Sequence, residues 1–225
     1  MRLALLSSLV LITSSGCAGP PSAPAGPPPA EPPPIVQTGA PVLRARAAEV
    51  PPEQIGSPEM AALIARMIDT MRRAPGVGLA APQIGVSLRV IVLEDREDLI
   101  ARITPQERSE RERVAFAPRV FINPVLRPIG EERALFFEGC LSVRGFVGLV
   151  ERSLEVEVQG LDERGKASVW RVRGWPARIL QHEVDHLEGT LYLDRMKTRS
   201  FATMDHAKVL YGGKSIVEIR RLLGL

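Results

Sequence analysis

Hydrophobic positions recur along this chain with more than one period, and each period predicts a different element. Met60, Leu63, Ile64, Met67, Ile68 and Met71 fall at helical spacing directly after Ser57-Pro58-Glu59. That triplet supplies a capping hydroxyl, a proline at the first helical position and an early acid. The stripe reads as a helix face packed on a core rather than a methionine metal box. Val90 to Leu93 is a short apolar run that predicts a buried strand. Twelve charges of both signs crowd residues 94 to 113 and predict a solvated loop or surface helix. Leu154, Val156 and Val158 then alternate with Glu155, Glu157 and Gln159. The turn residues Asp162 to Gly165 and a second alternating run to Val172 complete a predicted β-hairpin. Pro176 and Gly189 bracket a short helix. In the last stretch, Ser215 to Leu225, Ile216, Ile219 and Leu223 share one side of an amphipathic helix packed on its own domain. No internal repeat is present, and the fold class is α+β.

The first thirty-four residues differ from the rest. Arg2, the apolar run Leu3 to Ile12 and the small residues Thr13 to Gly16 ending at Cys17 read as a signal or lipoprotein-like leader over residues 1–19. On this reading Cys17 is a membrane-anchoring position. Residues 20–34 hold nine prolines in fifteen positions and predict an extended linker. The folded domain is therefore expected over residues 35–225. The 225-residue chain is 45% hydrophobic and 24% charged, which is ordinary usage for a folded domain. A net charge of +3 and 4% aromatic residues argue against nucleic acid as the main partner. Two cysteines, Cys17 and Cys140, exclude a disulfide scaffold.

Chemistry concentrates in His182-Glu183-Val184-Asp185-His186, inside the short helix. Residues four apart share a helix face, so both imidazoles can reach one ion while Glu183 reaches a water beside it. Chance alone also produces H-E-x-x-H, so a third ligand matters. Tyr192 stands where a metzincin places its third histidine, and His206, the one remaining histidine, lies twenty residues past His186. Cys140, in Glu138-Gly139-Cys140-Leu141-Ser142, is a candidate upstream, although a lone thiol is often an inert core residue. Gly76-Val77-Gly78-Leu79-Ala80-Ala81-Pro82-Gln83 has the small residues that let a backbone approach a ligand closely.

These three segments, in this order, resemble the motifs of peptide deformylases: G-x-G-L-A-A-x-Q, E-G-C-x-S and Q-H-E-x-D-H. The resemblance extends from Pro41-Val42-Leu43-Arg44 to Leu191-Tyr192-Leu193-Asp194-Arg195. It implies mixed and antiparallel sheets around a central metal-binding helix. It further implies Cys140, His182 and His186 as ligands of one Fe2+, replaceable by Zn2+, Ni2+ or Co2+. Glu183 would be general base and acid, and Gln83 with the Leu141 backbone N–H would stabilise an oxyanion. Val77 and Gly78 would pair with an extended substrate, and Trp175 and Ile179 would line a methionine pocket. Glu138, Gln181 and Asp185 would support the ligands by orienting an imidazole or binding an arginine such as Arg178. The implied reaction is hydrolysis of the formyl group from formyl-methionyl peptides and nascent chains.

Three positions depart from the pattern: Arg144 replaces a proline, Val147 an arginine and Glu151 a proline. The loss of an arginine at 147 predicts altered or looser grip on the peptide beyond methionine. Two other readings stand beside this one. The first is a different H-E-x-x-H peptidase with a downstream ligand such as Glu218, and the second is a non-catalytic envelope protein on the same scaffold. Location divides the expectations, since the family acts in the cytoplasm while the leader reads as export. A later start, for instance at Val36, would remove the leader.

Overall fold

The computed structural model describes residues 34–225. The predicted leader, the linker up to Pro33 and Cys17 lie outside the described residues.

Ser57 starts the first helix as its sequence predicts, its hydroxyl accepting from the Met60 N–H at 3.1 Å. This helix, α1 (Pro58–Arg73), buries Met60, Leu63, Ile64, Met67 and Met71, with Ile68 half-buried at the margin. It lies on a five-stranded antiparallel sheet of β1 (Gly78–Ala80), β2 (Val90–Asp95), β3 (Phe116–Pro128), β6 (Glu155–Leu161) and β7 (Ala167–Arg173), in that order. Side chains alternate across a strand, and the two faces of β2 meet different partners. Val90 and Val92 join the α1 core, whereas Ile91 and Leu93 join Ala177, Ile179, Leu180 and Leu187 of α4 (Trp175–Leu187) on the opposite face. Burial on both faces is why β2 reads as a continuous apolar run rather than an alternating one.

A second antiparallel sheet, ordered β4 (Arg133–Cys140), β5 (Val143–Ser153) and β8 (Lys197–Thr203), covers the other side of α4. The third apolar cluster, built on Leu43, Val143, Val150, Leu191 and Tyr192, lies here. The helix carrying both histidines is therefore the central element between the two sheets, as the family resemblance implies. Gly174 caps it with φ +72°, and a Cβ there would meet Glu112 Cβ at 2.5 Å. The chain ends in α5 (Met204–Tyr211) and α6 (Ile216–Leu223), the latter burying Ile219.

The charged stretch 94–113 departs from its prediction. It forms two short helices, α2 (Glu97–Ile100) and α3 (Pro105–Glu110), but its ends are not solvated. Glu94, Asp95 and Arg113 are buried. Arg113 holds Asp95 by two hydrogen bonds of 2.7 and 2.9 Å, and Arg72 reaches Glu94 at 2.7 and 2.9 Å. Paired this way, charges are tolerated at a sheet margin where single ones would not be. Among the described residues, no helix is long and apolar enough to cross a membrane.

Candidate metal centre

Cys140 ends β4, and His182 and His186 lie one turn apart on α4. The thiol and one nitrogen from each imidazole all fall within 4.8 Å of one another. Cys140 Sγ is 3.3 Å from His186 Nε2, and the two rings stand 5.1 Å apart at 76°. His186 is fully buried. One thiolate and two imidazoles form a soft, closely spaced donor set that suits Fe2+, Zn2+, Ni2+ or Co2+ far better than magnesium or calcium. The fit shows in the surroundings too, because Glu183 Oε2 is buried beside the cluster with no hydrogen-bond partner.

A cavity of about 610 Å³ opens over these residues. Val77, Gly78, Gln83, Leu141, Trp175, Ile179, His182 and Glu183 all line it, so residues from the three sequence motifs share one chamber. Gln83 is held by accepting the Ala80 N–H at 2.8 Å, which turns its amide NH2 toward Cys140 Sγ (3.6 Å) and Ser142 Oγ (3.3 Å). Glu183 faces Gly78 so closely that a Cβ at that glycine would lie 2.3 Å from Oε1. Burial pushes the Glu183 carboxyl up to about 7.

Glu138 and Cys140 are two residues apart on β4 and so point to the same side. Glu138 accepts from Arg152 at 3.0 and 2.9 Å and from Arg178 at 2.5 Å, and lies 3.0 Å from His182 Nδ1. Burial opposes its charge, but the hydrogen bonds from His182 and Arg152 outweigh that and hold it far below the ordinary carboxylate range. Asp185 is tied to Arg152 and, at 2.7 Å twice, to Arg195. The two buried carboxylates thus form a lattice with three arginines, of which Arg152 and Arg178 are buried and Arg195 is half-exposed. Arg152, on β5, is its hub, and no spacing in the sequence marks it, because its partners converge from β4 and α4.

The structure differs from expectation at Gln181. Gln181 reaches no ligand. Its amide instead clamps β5 to α4, accepting the Ser153 N–H at 3.0 Å and donating to the Ser153 carbonyl at 2.8 Å. Val147 does not face the cavity over the donors but a separate one of about 240 Å³, together with Phe136, Phe137 and Tyr211. Two alternative ligands also lie elsewhere: Glu218 is an exposed cap bonded to Ser215, and His206 is exposed and bonded to Thr203. Tyr192 stacks on His182 with ring centres 6.3 Å apart.

The fold and this centre define a metal-binding α+β protein with one thiolate and two imidazole donors around a helical H-E-x-x-H segment. The chain matches the polypeptide deformylase family over residues 32–202 and belongs to it. It is 52% identical over 172 residues to the chloroplastic peptide deformylase 1A of Solanum lycopersicum, covering 76% of this chain and 62% of that one. It is 45% identical over 175 residues to the human mitochondrial peptide deformylase, covering 78% and 72%. A class I type b peptide deformylase from Acinetobacter baumannii bound to Met-Ala-Ser superposes with a TM-score of 0.65 at 35% identity, covering 73% of this chain and 98% of that one. The matched region spans 62% and 64% of the lengths of the two plant relatives from Solanum lycopersicum and Arabidopsis thaliana.

Proposed function

We propose that this chain removes the N-formyl group from the N-terminal formyl-methionine of newly made polypeptides, releasing formate. The single observation that carries this is the convergence of Cys140, His182, Glu183 and Gln83 on one cavity, with His186 buried behind it as the third donor. Cys140, His182 and His186 would hold the metal, which when bound supplies Lewis acidity and activates water at neutral pH. Glu183, beside the donors and without a competing partner, would take the proton from the attacking water and hand it to the leaving amine. The Gln83 amide, fixed by the Ala80 N–H, would donate to the developing oxyanion together with the Leu141 backbone. The site is ready for this charge because the donors are held in place before substrate arrives.

β1 is an edge strand, so its outer side is open to an extended peptide laid along Val77 and Gly78. Trp175 and Ile179 would then receive the methionine side chain, and Glu138 with Asp185 would keep α4 and β4 in register. The Met-Ala-Ser seen in the Acinetobacter relative agrees with this class of substrate. A peptidase with Glu218 as ligand is disfavoured, since Glu218 is engaged at the start of α6. The test is mass spectrometry of formyl-Met-Ala-Ser after incubation with Fe2+-loaded protein. Loss of the formyl group with both peptide bonds intact supports the proposal, and cleavage between Met and Ala contradicts it.

For the N-terminal region we infer a leader over 1–19, a linker over 20–34 and a catalytic domain over 35–225. Mass spectrometry of the native chain should find Cys17 lipidated as its first residue. A mature terminus near Ile35 would contradict the anchor.

A further inference from the structure

The β4–β5 hairpin breaks register beside the catalytic cavity. Gly139 pairs with Val147, yet the next residue, Cys140, pairs with Val143. Arg144, Gly145 and Phe146 therefore bulge from β5 with no partner on β4. Gly145 permits the bulge through φ +85°, and Phe146 pins it by stacking on Phe201 with ring centres 5.0 Å apart at 12°. Bulges next to active sites re-aim side chains, and this one sets Arg144 and Gly145 in the wall of the catalytic cavity.

The other charges lining that cavity are already engaged or buried. Arg113 is paired with Asp95 and Arg178 with Glu138, while Glu183 is buried against Gly78. Arg144 is exposed and forms no ion pair among the described residues. A lone guanidinium at the mouth of a cleft attracts anions and can grip a carboxylate with two parallel hydrogen bonds. Resting on the deformylase reading above, we infer that Arg144 is a specificity determinant that favours formylated peptides with Asp or Glu at the second or third residue.

The test uses the full chain loaded with Fe2+ and C-terminally amidated peptides, so that no terminal carboxylate competes. Formyl-Met-Ala-Asp and formyl-Met-Ala-Asn amides, and the matching pair with Asp or Asn in the second position, are compared by kcat/KM. The parent should favour Asp over Asn at one of these positions by about three- to fivefold, the size of an exposed ion pair. That ratio should fall to about one in Arg144→Ala, invert in Arg144→Glu, and shrink in about 0.5 M salt through screening. Equal rates for Asp and Asn at both positions in the parent, or a ratio unchanged in Arg144→Ala, overturn the inference. Binding of the deformylated Asp and Asn peptides by calorimetry reads the same preference without turnover. Failure to release formate from any peptide would overturn the activity reading, and the product-binding ratio would then decide the role of Arg144 alone.

Discussion

At the residue scale the site depends on a few atoms held at close range. Gly78 is the clearest case, because any side chain there collides with the Glu183 carboxylate. Gly78→Ala should therefore lower kcat by at least tenfold while metal content, measured by atomic absorption, stays at the parent level. Gln83 uses both ends of its amide, one to fix itself on Ala80 and one to face the thiol. Gln83→Ala should reduce kcat by about 10²- to 10³-fold, the usual loss for an oxyanion donor. It should also lower the melting temperature, because the buried Ala80 N–H loses its acceptor. An unchanged kcat in this variant would place the oxyanion elsewhere. The residues of this scale were largely legible in the sequence, since short motifs preserve the side chains that touch one another. Gln181 was not, because its neighbour in the chain says nothing about its partner on β5.

At the scale of elements, β4 and α4 meet through Glu138 and its arginines. Removing one partner of a buried ionic cluster leaves the others uncompensated, so Glu138→Gln should cost about 3–5 kcal/mol in urea unfolding of the metal-free protein. Its pH dependence has a definite sign. The native pKa of Glu138 lies below the unfolded value of about 4.3. The stability it confers is thus complete above that value and is lost as pH falls below it toward the native pKa. Between about pH 4.3 and pH 3, the parent should lose stability more steeply than Glu138→Gln. Parallel curves would show that the carboxylate is not linked to folding. The elements themselves were unevenly visible. Caps and periodicity expose α1 and the β6–β7 hairpin, whose partners are near in sequence. β4 and β5 were hidden, since glycines and large polar residues interrupt them and their pairing is set by bulges and arginine contacts. Charges at 94–113 misled for a related reason: Asp95 and Arg113 find each other only once β2 and the α3 exit are in place.

For the whole molecule, the metal centre ties the two sheets together through the helix between them. Cys140 comes from the three-stranded sheet, whereas α4 packs its other face on the five-stranded one. A ligand that binds only the folded state stabilises by mass action, about 2.7 kcal/mol at a hundred times its dissociation constant. Stripping the metal with a chelator should therefore lower the melting temperature, and adding back Fe2+ or Zn2+ should restore it in a concentration-dependent way. The Cys140→Ala variant should show little of this recovery. The α+β class and the central helix could be expected from the sequence together with the family resemblance, but not the division into two sheets or the cavity between them. Both arise from contacts across the chain that no local pattern encodes.

On the deformylase proposal, Glu183 handles the proton at a metal-loaded site that hydrolyses formyl amides. Formate release from formyl-Met-Ala-Ser by the Fe2+-loaded parent and Glu183→Gln, with metal content measured on both, tests it most directly. Turnover in the parent and a loss of about 10²- to 10⁴-fold in the variant at equal metal content is the predicted result. A variant that retains metal and works within tenfold of the parent would contradict the account.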